Sequence, residues 1–235
     1  MKKHPVKITI VAMAIIGMTA AIAGAADTAQ PSAKVTAQCT DIVVSGDYGV
    51  WTTVLKNTIK CANQKDLFID VSLVSELMTR TRAKSKGGKE DTASAEAGIE
   101  VRVVIDENPN NLAAPGVITF AKRYQELSAI FQGLLTDSDA PDANVCLSAD
   151  VNTGAITIDP NCLRPEEVEL ILETMTANSF NFIVENVTSG VHTIEVQVRP
   201  SAEAIEGDAS ASAVVGAGSV TVEEVRCIKD EDLII

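Results

Sequence analysis

Acidic side chains are the commonest groups in this sequence that could do chemistry. Two adjacent pairs, Glu166 with Glu167 and Glu223 with Glu224, suggest the two carboxylates of a glycoside hydrolase. That chemistry needs carboxyl groups that face each other across a cleft. Adjacent residues cannot show this, and Glu223 and Glu224 point to opposite faces of a predicted strand. The sequence therefore predicts solvent-exposed charge at both pairs and no catalytic residue.

Histidine chemistry is equally poorly supported. After residue 25 the chain contains one histidine, His192, and no Gly-x-Ser-x-Gly motif. A catalytic histidine must lie beside its nucleophile, and nothing in the sequence supplies that nucleophile. We expect His192 to be a strand residue near a turn, and a histidine-rich metal site is excluded.

Residues 150–159 partly match a calcium-binding loop. An EF-hand loop needs ligands at positions 1, 3 and 5, glycine at position 6 and glutamate at position 12. Here Gly154 falls at position 5, so the better interpretation is a β-hairpin with a three-residue turn at 152–154. No cofactor is predicted, although weak calcium binding by acidic loop residues is left open, and these are Asp137, Asp139 and Asp142.

A basic stretch stands out in this acidic chain. It could contact an acidic partner, including another copy of the protein, or it could be a solvated loop around Gly87 and Gly88. Its members are Arg80, Arg82, Lys84, Lys86 and Lys89. Aromatic residues make up only 3% of the chain, which disfavours a stacking platform for sugars.

Residues 1–25 have the three parts of a secretory signal. Lysines come first, residues 8–22 are mostly apolar, and Ala23 and Ala25 supply the small residues that signal peptidase requires. The apolar stretch is shorter than the roughly 20 residues of a membrane-spanning helix. The sequence predicts cleavage before Ala26 and a secreted, periplasmic or cell-surface protein without a membrane span.

The mature chain would be strongly acidic. All 32 acidic residues follow the signal but only 16 of the 19 basic residues do, which leaves a net charge of −16. Such a polyanion repels phosphate backbones, so nucleic acid is excluded as a partner.

Five cysteines follow the signal, and export permits disulfides. Short strands at 145–149 and 155–159 would bring Cys146 near Cys162, and we expect these two to form a disulfide. Cys39, Cys61 and Cys227 have no comparable local argument, and one of them should remain unpaired.

The elements that position these residues are mainly strands. Alternating apolar residues predict strands at 67–73, 99–106 and 193–199. Weaker strands are predicted at 35–44, 50–61, 117–122, 127–132, 180–185, 209–215 and 219–228. Many strands with short polar connections indicate an all-β, antiparallel β-sandwich.

One helix is predicted within this sandwich. Pro165 suits a first helical position and Glu166 favours the positive end of the helix dipole. Val168, Ile171 and later apolar residues follow at helical spacing, so we expect a short helix at 165–176. Residues 26–235 form one domain in this interpretation, with a possible surface linker at 136–145.

The last strands carry a resemblance to a known class of module. Residues 190–198 begin Gly-Val-His-Thr-Ile and residues 218–222 read Gly-Ser-Val-Thr-Val. Residues 190–222 thus resemble the closing strands of extracellular jelly-roll and related β-sandwich modules. The resemblance implies a sandwich used for assembly, adhesion or ligand binding, and it carries over no catalytic residue.

These observations favour a non-catalytic extracellular or cell-surface β-sandwich protein that acts in assembly, adhesion or binding. One alternative is a secreted carbohydrate-active hydrolase that uses two acidic residues. Another is a periplasmic module that binds a small ligand or calcium.

Overall fold

The computed structural model of the chain describes residues 35–40, 49–135, 147–159 and 162–227. The expected signal at 1–25 and linker at 136–145 lie outside these residues. The described residues form thirteen strands, which are, in chain order, β1 (Val35–Thr40), β2 (Thr52–Cys61), β3 (Lys65–Ser85), β4 (Glu90–Ile105), β5 (Asn108–Leu112), β6 (Ile118–Ile130), β7 (Leu134–Leu135), β8 (Leu147–Ala149), β9 (Ile156–Ile158), β10 (Leu163–Arg164), β11 (Glu166–Val187), β12 (Gly190–Glu206) and β13 (Asp208–Val225).

The eight long strands form two antiparallel sheets. The first sheet has the order β1-β13-β3-β11, and the second has the order β2-β12-β4-β6, with β5 also paired to β4. Consecutive long strands usually alternate between the sheets, which gives the strand order of a jelly roll. The predicted all-β, antiparallel sandwich is confirmed, and β12 and β13 are central strands of its two sheets.

The core lies between the two sheets and follows the alternation in the sequence. In β3, Leu67, Ile69 and Val71 are fully buried, and in β4 the same is true of Ile99 and Val101. Burying one such side chain contributes about 1.5–3 kcal/mol. The strands predicted at 67–73, 99–106 and 193–199 are thus confirmed. The first and last extend beyond both predicted limits, whereas β4 begins earlier than predicted and ends at Ile105, with Asp106 in the following turn.

One end of the sandwich interior is polar. Gln125 of β6 is buried and accepts a hydrogen bond from Thr79 Oγ1 at 2.5 Å. Its Nε2 donates to Thr81 Oγ1 at 2.6 Å and to the Leu170 carbonyl at 2.9 Å. This side chain therefore links the edge strand of the second sheet to two strands of the first.

The helix predicted at 165–176 is wrong, because these residues begin the long strand β11. Apolar residues occur at helical spacing there, but Val168, Leu170 and Leu172 also alternate. The strand pairs with β3 without interruption from Glu166 to Val184. This pairing sets the acidic side chains of β11 beside the basic side chains of β3, an arrangement that residues 165–176 alone do not reveal.

The described part of the chain contains no α-helix. Among the same residues, accordingly, no helix has the length and hydrophobicity needed to cross a bilayer.

Candidate functional site

Strand β11 forms an edge of the first sheet, and most of its outer side is open. Its inner side pairs with β3. On its outer side, the only pairing among the described residues is one bridge at Ile183. Here the Ala114 N–H donates to the Ile183 carbonyl at 2.8 Å, and the Ile183 N–H donates to the Ala114 carbonyl at 3.0 Å.

The bridge shows which backbone groups face outward. Both hydrogen-bonding groups of Ile183 point away from β3, and groups along a strand alternate in direction. The ladder with β3 has no register shift between Glu166 and Val184. The odd-numbered residues from Glu167 to Asn181 therefore direct N–H and C=O groups to the open side, and we name these residues the open edge.

The side chains beside the open edge are unusually apolar for an exposed strand. On the face toward the second sheet, the exposed apolar residues are Val168, Leu170, Leu172 and Phe180, each 36–41% exposed. On the other face, Ile171 is 56% and Met175 is 65% exposed. Strand β6 packs mainly over β3 and only slightly over β11, so the first sheet projects beyond the second.

The open edge has little of the usual protection of an exposed strand. Edge strands are commonly blunted by charged side chains, especially lysine, by proline or by a bulge, and residues 167–181 contain three glutamates but no proline, lysine or arginine. No bulge interrupts this stretch. By contrast, the edge strand β6 of the second sheet carries the exposed Lys122 and has a register shift in its pairing with β4. The open edge is therefore the feature of the described surface that best fits strand addition.

The basic stretch lies next to the open edge and neutralises part of its charge. Arg80 forms an ion pair with Glu169, and Lys84 Nζ lies 3.8 Å from a Glu167 carboxylate oxygen. Glu173 has no ion-pair partner among the described residues. Two of the three glutamates of the open edge are thus balanced from within the sheet.

Asp208 of β13 forms ion pairs with Arg80 and Arg82 of the basic stretch, from the side of β3 opposite to β11. Arg82 Nε donates to its carboxylate at 2.6 Å, and Arg80 Nη1 donates at 3.2 Å. The hydrogen bond and charge of Arg82, with those of Arg80, outweigh desolvation and lower the pKa of Asp208. The predicted turn at Gly87 and Gly88 is present, and Lys86 and Lys89 lie exposed beside it. Contact of this stretch with a partner stays a prediction.

His192 lies near a strand start and beside turns, as predicted, and it is buried. Its Nδ1 lies 2.9 Å from Asp106 Oδ2, and its Nε2 lies 2.9 Å from the Thr188 carbonyl. Because both partners are acceptors, both ring nitrogens must carry protons to form both bonds. Burial lowers the pKa of His192, but the bonds to Asp106 and Thr188 outweigh burial and raise it. In its doubly protonated form, the His192 ring therefore connects the turn at Asp106 to the turn at Thr188.

This arrangement predicts a pH-dependent stability. A His192 pKa above the unfolded value of about 6.5 contributes stability below that value, and the contribution is lost as pH rises through the folded pKa. The wild type should lose more unfolding free energy than His192→Gln as pH rises from about 5 to about 8. Urea unfolding of both proteins across this range measures the difference, and equal pH profiles would contradict it.

The two carboxylate pairs do not form a catalytic arrangement. Glu223 and Glu224 lie on opposite faces of β13, as the alternation predicts, but Glu224 is 4% exposed. The expected solvent exposure is therefore wrong for Glu224, whose position on the inner face of a central strand buries it. Glu166 accepts the Gly133 N–H at 2.9 Å, and Glu167 lies near Lys84.

Residues 150–159 form the predicted hairpin, with one difference in register. Ala149 pairs with Ile156 and the Asp150 N–H donates to the Ala155 carbonyl, so the turn has four residues instead of three. Asp150 accepts hydrogen bonds from the Asn152 N–H at 2.9 Å and Thr153 Oγ1 at 2.8 Å. These bonds, first that to Asn152, lower its pKa.

No group of three or more potential metal ligands occurs within the described ranges. The acidic residues proposed for weak calcium binding, Asp137, Asp139 and Asp142, lie outside them, so calcium binding stays a prediction.

The disulfide between Cys146 and Cys162 also stays a prediction, because Cys146 lies outside the described residues. Cys39 is an exposed free thiol, and burial is the main cause of a raised pKa at the free thiol of Cys227.

The open edge was not predicted from the sequence, although residues of β11 carry a signal for it. Residues 166–184 contain no glycine, proline, lysine or arginine, which is rare for an exposed segment of that length. Such a stretch predicts a strand without built-in protection from pairing. Because residues 165–176 were predicted to form a helix, an unprotected edge strand was not predicted there.

Comparison with known proteins gives no family: no family model and no curated protein matches the chain. Two solved structures of the VP2 protein of infectious bursal disease virus, a D431N mutant and a subviral particle, are 16% and 13% identical. The matches cover 92% of this chain and 41% and 42% of those chains, at TM-scores of 0.26 and 0.27. A CocE/NonD family hydrolase from Staphylococcus aureus is 10% identical at a TM-score of 0.18, over 83% of this chain and 37% of the other. The chain thus spans about four tenths of the length of these proteins, and the jelly-roll assignment rests on its own strand order.

Proposed function

We propose that this chain is a non-catalytic β-sandwich protein that acts by association outside the cytoplasm, in assembly, adhesion or binding. The observation that supports this function is the open edge of β11. Its outward N–H and C=O groups can pair with an added strand, and the apolar side chains on both faces can pack against it. Strand addition to such an edge is a recurrent mode of recognition.

The bridge between Ala114 and Ile183 supports this use of the edge. Both hydrogen bonds of the bridge have normal length, so β11 already accepts a neighbour at the end of the open edge. A turn follows this bridge, closed by a hydrogen bond from the Gly116 N–H to the Ala113 carbonyl at 2.8 Å. The outward N–H and C=O groups of the open edge therefore remain available to an added strand.

Native purification of the protein from producing cells, followed by mass measurement and negative-stain imaging, tests the proposal. We expect the chain in a complex with itself or another protein. Ser179→Pro should reduce the complex, because it removes one outward N–H of the edge, whereas Ser179→Ala retains it.

Two results would overturn the proposed function. One is a native protein that is monomeric under all conditions. The other is reproducible hydrolysis of a glycoside, ester or peptide that a single Asp or Glu substitution abolishes.

A further inference from the structure

We infer that the open edge binds the same edge of a second copy, antiparallel and about a two-fold axis beside Thr174. This inference rests on the proposed function and names its partner. The product would be one continuous sheet of eight strands, formed from the four-stranded first sheet of each copy. A two-fold contact of this kind closes on itself and gives a dimer.

The limits of the open edge determine the register. Outward-facing groups are on odd-numbered residues, so an odd residue must lie opposite an odd residue. Full use of the edge places Glu167 opposite the partner's Asn181. The next position along places Ile183 opposite the partner's Pro165. Proline has no N–H to donate, and Ile183 is already paired with Ala114, so pairing ends at the same point for two independent reasons.

The side chains are complementary in this register. On the face toward the second sheet, Val168 lies opposite the partner's Phe180. The two-fold axis generates the same pair a second time, with Phe180 opposite the partner's Val168. An aromatic side chain opposite a β-branched one is a favourable cross-strand pair. Both residues are more than a third exposed in the single chain, so the contact would bury apolar surface that the fold leaves uncovered.

Charge favours the antiparallel arrangement over a parallel one. The acidic residues of the open edge lie in its first half and none lies after Glu173. Antiparallel pairing sets Glu167, Glu169 and Glu173 opposite the partner's Asn181, Ser179 and Met175. Parallel pairing in register would instead set each glutamate beside its own copy, which is destabilising.

One close like-charge contact remains. Glu173 and the partner's Glu173 would be diagonal neighbours on the outer face, within about 7–8 Å. Glu173 has no ion-pair partner among the described residues, so this repulsion is not offset within the chain. The dimer should therefore be tighter at high salt, which screens such charges.

Cysteine cross-linking tests the register. Thr174 lies on the two-fold axis as a non-hydrogen-bonded pair, whose Cα atoms are about 4.5 Å apart, within the range for a disulfide. Thr174→Cys in the purified full chain should cross-link to its own copy under mild oxidation. The matched control is Thr176→Cys, which points to the same face but would lie opposite the partner's Leu172 and should not cross-link to itself. Peptide mapping identifies the linked residues.

Sedimentation equilibrium tests the energetics. Ser179→Pro should raise the dimer dissociation constant about tenfold or more, because an outward N–H is lost. Ser179→Ala should leave it nearly unchanged, and Glu173→Gln should lower it about two- to fivefold. Circular dichroism and urea unfolding establish that each variant folds.

The outcomes separate this inference from the proposed function. Equal cross-linking of Thr174→Cys and Thr176→Cys would indicate parallel pairing and overturn the inference, as would a purified chain that stays monomeric. If that monomer occurs in a native complex with a different protein that Ser179→Pro disrupts, the proposed function stands and only the choice of partner is wrong.

Discussion

Replacing Phe182 with alanine is expected to lower the free energy of unfolding by about 3–5 kcal/mol. Phe182 is fully buried on the inner face of β11, and it lies opposite Ile69 of β3. Its removal would leave a cavity where β11 is anchored to the core. Chemical denaturation followed by circular dichroism measures the change.

Phe180 provides a matched control in the same strand. The two rings lie in edge-to-face contact, with centroids 5.2 Å apart, but Phe180 is 38% exposed. Phe180→Ala should therefore cost about 1 kcal/mol, since less buried surface is lost. Equal effects of the two substitutions would contradict the view that Phe182, and not Phe180, anchors β11 to the core.

Replacing Gln125 with alanine is expected to lower the free energy of unfolding by about 2–3 kcal/mol. The substitution removes hydrogen bonds to the buried hydroxyls of Thr79 and Thr81 and to the Leu170 carbonyl. A buried polar group that loses its partner costs about 1–3 kcal/mol. Hydrogen exchange should also become faster in the first half of β11, because Gln125 is a link from β6 to that segment.

The control replaces the whole polar cluster. In the triple variant Thr79→Val, Thr81→Val and Gln125→Leu, no hydroxyl is left without a partner. Exchange of all partners for apolar groups of similar shape can be nearly neutral, so the triple variant should be more stable than Gln125→Ala. A triple variant less stable than the single one would show that the hydrogen bonds themselves hold this end together.

The sequence predicted the sandwich because its signal is local. Alternation in a strand such as β3 depends only on which face of one strand is buried, and Leu67, Ile69 and Val71 show it directly. The helix at 165–176 was wrong for the opposite reason. There the deciding interactions are cross-strand pairs such as Arg80 with Glu169, which join residues that are distant in sequence.

The candidate site could not be predicted for a related reason. Whether a strand is an edge depends on the order of strands in the sheet, and β11 is an edge only because β13 occupies the other side of β3. The partners of His192 are similarly set by the fold, since Asp106 comes from the turn after β4. The residue types were visible in the sequence, but their neighbours were not.

The pairing of the long strands also has a consequence for how the chain reaches its native state. Strand β2 pairs with β12, β3 pairs with β11 and β13, and β4 pairs with β12. Among the described residues, the ladder of β4 with β6 is the only one that joins long strands close in sequence. The long chain segments between these paired strands must close into loops before the contacts form. Proteins with mostly non-local pairing therefore fold in milliseconds to seconds or more slowly. The first half of the chain cannot complete either sheet by itself, so folding must wait until the last strands are available. Until β11, β12 and β13 pair, the strands of the first half of the chain have unpaired edges that can bind other molecules. A low protein concentration should therefore favour refolding over aggregation.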